Sequence, residues 1–166
     1  MRRLFISLFL FAALTGAGQT KSFRPNKTLT DSVFSKGDII KIPEIVYSTC
    51  CLGCLDYFVP GIQDSLNIIG GFIIKHPGYI FQITSHTDQR GNEQKNVELS
   101  RKRANAVKNY LMKSFSIDST IIFSEGYGGR SPIINILKIK EAMTKEEKER
   151  LHQMNRRTEL KVIDVK

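Results

Sequence analysis

Between residues 79 and 125 the apolar pattern changes period twice, and that change limits the folds open to the chain. Tyr79, Phe81 and Ile83 share one face of a run ending at Ser85, with Ile80 on the other face, as a strand requires. From about Asn92 to Phe115 the apolar residues Leu99, Val107, Tyr110 and Leu111 recur at helical spacing, with Ala104 beside them. Thr120 to Glu125 returns to strand character, and Gly126-Tyr127-Gly128-Gly129 reads as the turn leaving it. Upstream, Pro60 suits the first position of a helix whose buried face is Ile62, Leu66, Ile69 and Ile73 and whose end is Pro77-Gly78. Gly70 and Gly71 inside it each cost roughly 1 kcal/mol relative to alanine. Asp38 to Ser48 reads as a first strand interrupted by Pro43. Thr144 to Glu147 forms a capping box opening a charged helix through His152, and Thr158 to Val165 alternates as a closing strand. Strands alternating with helices predict a layered α/β domain.

The N-terminus constrains the compartment. Arg2 and Arg3 precede an apolar run from Leu4 to Leu14, followed by small residues through Gly18, the layout of a secretory leader over 1–18. The run is shorter than the roughly 20 residues needed to span a bilayer. Export to the periplasm, in association with the cell wall or outer membrane, is the expected destination. Residues 19–37 are polar and without periodicity, and read as a flexible lead-in to a domain over 38–166. The formal charge of +9 falls by two with the leader and stays strongly basic, which suits an anionic envelope partner. The leader argues against nucleic acid.

Several constellations carry chemistry only in appearance. Ser85, His86 and Asp88 are adjacent, but a strand sends Ser85 and His86 to opposite faces, and a triad needs reach in space. The run from Gly126 to Gly129 lacks the Lys-Ser/Thr and helix of a phosphate loop. Cys50, Cys51 and Cys54 cluster in an atypical loop over 49–59. A local disulfide of Cys54 with Cys50 or Cys51 is one reading, and free thiols are another. Zinc needs about four ligands at coherent spacing, and His76 and His86 are remote in sequence. No metal, cofactor or catalysis is expected. Taken alone, Asp88 reads as a turn former, and Arg103 as a long side chain lying along the stripe between Leu99 and Val107.

Five blocks change the weight of those two residues: Ser85-His86-Thr87-Asp88 with Arg90-Gly91, then Asn96 with Leu99-Ser100, then Arg103-Ala104. The fourth and fifth are Glu125-Gly126-Tyr127-Gly128 and Asn155-Arg156-Arg157-Thr158-Glu159. In this order and at this spacing they resemble the OmpA-like peptidoglycan-binding domain shared by OmpA C-termini, the Pal lipoproteins and the MotB stator proteins. The resemblance implies a two-layer α/β sandwich, βαβαβ with a further short helix and closing strand, its helices on one face of a mixed sheet. It also implies a non-catalytic site for the diaminopimelate end of a peptide stem. Asp88 would take the ammonium and Arg103 the carboxylate; Thr87 and Asn96 match positions lining that site, and Arg156 rather than Arg157 is expected to reach the ligand. A carboxylate accepting from an ammonium and a guanidinium gripping a carboxylate suit such a ligand. The family's Phe-Asp loop after the first strand has no secure counterpart here, where Asp56 is the nearby carboxylate.

The expected role is anchoring to, or organising, the cell wall, with an envelope protein as a further partner. The alternatives are an interaction protein that keeps the fold without the ligand, and an exported thiol-redox protein.

Overall fold

The computed structural model describes residues 25–47, 58–142 and 144–166. The leader at 1–18, Asp56 and the three cysteines lie outside them. The described elements are β1 (Lys27–Thr28), β2 (Ile39–Lys41), α1 (Gln63–Lys75), β3 (Tyr79–His86), α2 (Glu93–Phe115), β4 (Ile122–Gly128), α3 (Ile136–Glu141), α4 (Lys145–Asn155) and β5 (Arg157–Val165). The strands form one mixed sheet ordered β1-β2-β5-β3-β4. β3 runs parallel to β4, and β5 runs antiparallel to β3 and β2.

Alternation along β3 and β5 explains the core. Phe81 opposes Val162 and Ile83 opposes Leu160, and all four are fully buried. Each such side chain contributes about 1.5–3 kcal/mol by leaving water. α2 covers this face with Ser100, Ala104, Val107 and Leu111. The buried stripe is therefore rotated from the expected one: Leu99 is only half-buried, and Ser100 takes the sheet-facing place. Arg103, one residue before Ala104, consequently stands at the edge of the buried face.

The N-terminal half departs from expectation. The first strand is only Ile39–Lys41, because Pro43 has no N–H to continue the ladder, and Tyr47 adds a single bridge to Phe58. The lead-in expected to be flexible is built into the domain over residues 25–37. Lys27–Thr28 pairs with β2, and Phe34 is buried against Phe72 and Tyr79. The glycine run expected to turn out of the third strand lies mostly within it, since β4 continues through Gly126, Tyr127 and Gly128.

α1 runs unbroken through both glycines. A Cβ at Gly70 would come within 2.5 Å of the Phe115 ring of α2, so that glycine permits the close packing of the two helices. Gly71 meets nothing within 4 Å. Gly71→Ala is therefore expected to stabilise the fold by about 0.5–1 kcal/mol through helix propensity and a less flexible unfolded chain. A urea titration checks this, and a destabilised variant would contradict the open space at that position.

α4 begins with the Thr144 hydroxyl accepting the Glu147 N–H at 3.0 Å, as the capping box predicts, and continues past His152 to Asn155. The buried Asn155 amide both accepts from Ile134 N–H and donates to Ile134 C=O, each at 2.8 Å. That clasp fixes the end of α4 against the segment after β4, and with it the direction in which Arg156 leaves the helix.

Candidate binding pocket

The pocket forms where β3, α2 and the end of α4 converge. After β3, the Thr87 N–H bonds Gly128 C=O at 2.9 Å, and the Thr87 hydroxyl donates to Asp88 C=O at 2.8 Å. Asn96 supports the same loop by donating to Arg90 C=O at 2.8 Å. Gly91 holds a left-handed φ of 83°, and the Asn92 side chain accepts the Lys95 N–H at the start of α2. This short loop presents the Asp88 carboxylate with its side chain only 11% exposed.

Arg103 is delivered by an unusually close approach of α2 to β4. The Ser100 hydroxyl accepts the Gly128 N–H at 2.8 Å, and the backbone of Arg101 lies against Gly126 where a side chain would otherwise project. Two residues on, the Arg103 guanidinium lies 4.8 Å from the centre of the Tyr47 ring, within cation–π range. The Tyr47 hydroxyl is held by Thr158 at 2.7 Å. Burial lowers the Arg103 guanidinium from its ordinary value, with Tyr47 and Asp88 opposing that shift and Arg156 adding to it. Arginine nevertheless stays charged. Among the described residues, Arg103 has no carboxylate at ion-pair distance.

A pocket of about 470 Å³ has both Asp88 and Arg103 in its wall, together with Tyr47, Arg90, Glu149 and Arg156. Asp88 is braced on two sides. Its Oδ2 accepts from Arg90 Nη2 at 2.7 Å and Arg156 Nη1 at 2.6 Å, and its Oδ1 accepts the Arg90 N–H at 2.9 Å. Burial by itself would raise the Asp88 carboxyl, but Arg90 and Arg156 outweigh it and hold the group at about 2. A depressed folded-state value makes Asp88 stabilising above its ordinary 3.8, with that contribution lost as pH falls through about 2. Carboxyl NMR should accordingly find Asp88 ionised from pH 4 upwards; titration at or above 3.8 would contradict the two-arginine bracing.

The structure distributes the expected site residues unevenly. Asp88, Arg103 and Arg156 meet in one pocket. Thr87 is buried behind the Asp88 loop, and Asn96 lines a different depression beside Gln89 and Gly129. Both position the loop rather than face the cavity. Arg157 also borders the pocket but is tied down, with Nε on Glu159 at 2.6 Å and Nη2 on Ser131 C=O at 3.1 Å. Ser85 bonds Thr158 on the core side, while His86 lies 3.4 Å from Glu159 on the opposite side, so no nucleophile–base pair forms. Tyr47, Arg90, Glu149 and Gln153 also line the pocket, beyond the residues expected from the sequence. Arg90 stands inside the Asp88 motif, whereas nothing in α4's charged pattern distinguishes Glu149 from its neighbours.

A larger groove of about 870 Å³ runs along α2 past Lys102, Tyr110 and Lys113. Among the described residues its wall contains no acid. The smaller pocket offers both signs.

Known proteins share parts of this sequence and its fold. The OmpA family model matches residues 60–147, a span that includes Asp88 and Arg103 and ends before Arg156. The peptidoglycan-associated lipoprotein of Buchnera aphidicola is 35% identical over 69 residues, covering 42% of this chain and 39% of that protein. Outer membrane porin F of Pseudomonas aeruginosa is 29% identical over 65 residues, covering 39% of this chain and 19% of the porin. The chain thus matches well under half the length of either relative. The crystal structure of the peptidoglycan-associated lipoprotein from Burkholderia pseudomallei superposes with a TM-score of 0.53 at 21% identity, over 72% of this chain and 90% of that one, which establishes a shared fold. With the family model matching more than half of its length, the chain belongs to the OmpA family.

Proposed function

We propose that this protein is an exported envelope component that holds diaminopimelate-type peptidoglycan without covalent chemistry. A leader over 1–18 would direct it to the periplasm, and the domain following it would dock on peptide stems, anchoring the protein, or a partner, at the cell wall. The observation that carries this reading is the convergence of Asp88 and Arg103 in one pocket. Asp88 would accept the ligand's ammonium. Arg103, charged and without an ion-pair partner among the described residues, would take its carboxylate in a two-pronged bond. Arg156, already on Asp88, would border the ligand from the α4 side. Each charge-assisted bond contributes on the order of 1.5–3 kcal/mol. A free amino-acid end satisfies both residues, while a plain lysine side chain satisfies only Asp88. Membership of the family and a lipoprotein relative named for its association with peptidoglycan support the same reading.

One observation favours a second reading. Asp88 is doubly bonded to arginines, as a purely structural ion-pair network would be. In that case the fold persists and the ligand is lost, leaving a protein–protein interaction module.

Co-sedimentation with purified sacculi separates the two. The protein should pellet, free diaminopimelate should release it, and Asp88→Asn should remain in the supernatant. A wild-type protein that stays soluble beside sacculi, or an Asp88→Asn variant that pellets as well, would leave the structural-network reading in place.

A further inference from the structure

The charge around Asp88 is set by groups beyond the Asp88–Arg103 pair. Asp88 supplies one negative charge, yet two guanidinium groups bond its Oδ2. An ionised carboxylate has about four acceptor sites. Among the described residues three are used, two at Oδ2 and one at Oδ1 by the Arg90 N–H, which leaves one on Oδ1 for an incoming ammonium. Geometry therefore admits the ammonium, but charge opposes it, because Asp88 with Arg90 and Arg156 sums to a net positive centre.

Glu149 of α4 offsets that excess. Its carboxylate bonds Arg90 Nη1 at 2.9 Å and Arg156 Nη2 at 2.6 Å, so both arginines are shared between two acids. Gln153, one turn further along α4, accepts from Arg156 Nε at 2.9 Å and fixes the same guanidinium from behind. The four charges then cancel. Because Glu149 is about half exposed and also lines the pocket, its removal should leave the core untouched.

We propose that Glu149 is a positioning residue that makes the Asp88 end of the pocket accept a cation, and so sets its preference for zwitterionic ligands over plain carboxylates. This rests on the reading of the pocket as a zwitterion site. Its origin is electrostatic: a unit of positive charge left beside Asp88 repels an ammonium and attracts an anion.

The test is calorimetric titration of the purified protein with meso-diaminopimelate and with pimelate, which has the two carboxylates but no amine. Glu149→Gln is expected to weaken diaminopimelate binding about fivefold while leaving pimelate unchanged or tighter, so that the ratio of the two affinities falls by about fivefold or more. Glu149→Asp, which keeps the charge, should hold the wild-type ratio within about twofold. An unchanged ratio in Glu149→Gln, or equal weakening of both ligands, overturns the assignment, since a merely structural role would not separate them. Failure of the wild-type protein to bind diaminopimelate at all would remove the zwitterion reading itself, and this inference with it.

Discussion

Gly126→Ala should destabilise the protein by about 3 kcal/mol, lowering the melting temperature by roughly 6–12 °C for a domain of this size. The added Cβ would come within 2.5 Å of Arg101 Cα and 2.6 Å of the Ser100 carbonyl carbon. Both are backbone atoms in the middle of α2, so no side-chain rotation relieves the clash, and the helix must lift from β4. That movement would also break the Gly128–Ser100 hydrogen bond and carry Arg103 away from Tyr47. Ligand affinity is therefore expected to fall together with stability, although Gly126 does not border the pocket. Thermal unfolding and calorimetric titration of the one variant check both halves. A Gly126→Ala protein with unchanged melting temperature would count against the close α2–β4 approach.

Arg103 should show the opposite coupling. Arg103→Ala is expected to lower affinity for a diaminopimelate stem by about 10- to 100-fold, the equivalent of one charge-assisted bond. Arg103→Lys should recover only a small part, because an ammonium lacks the planar fork that meets a carboxylate in two places and rests on the Tyr47 ring. Stability should not follow affinity. A half-buried guanidinium without an ion pair among the described residues is held at a desolvation cost, which its ring contact, at about 0.5–2 kcal/mol, only offsets. Arg103→Met, which keeps the stem's bulk, is expected to melt at the wild-type temperature or above it while losing the ligand. Substantial unfolding in Arg103→Met would mean that the arginine serves the fold, and would weaken its assignment as a ligand group.

Legibility in the sequence followed the range of the interactions. β3 and α2 were readable because their periodicities are local and strong. Phe81 and Ile83 are buried as alternation requires, and α2 ends at Phe115 as its apolar pattern does. The α4 cap was readable for the same reason, being complete within four residues. β1 was not, since two residues are too few to carry a periodicity and their strand character comes from pairing with Ile40 and Lys41 of β2. Gly126 and Gly128 read as turn residues because glycine commonly marks one. Their reason for being in a strand is the backbone of α2, about 25 residues away in sequence.

The candidate site divides the same way. Asp88, Arg103 and Arg156 could be nominated from sequence blocks, although their separations along the chain say nothing about mutual reach. The layered α/β class, the helix that carries Arg103 and the strand that ends before Asp88 were all determined by local apolar pattern. Only the tertiary structure decided that a glycine-permitted contact brings α2 close enough for Arg103 to share a pocket with Asp88, that Thr87 and Asn96 stand behind the loop, and that Glu149 offsets the arginines around Asp88. The physical reason is common to all three. Periodicity reports which face of an element is buried, whereas the pairing of charges depends on distances set by packing between elements far apart in sequence.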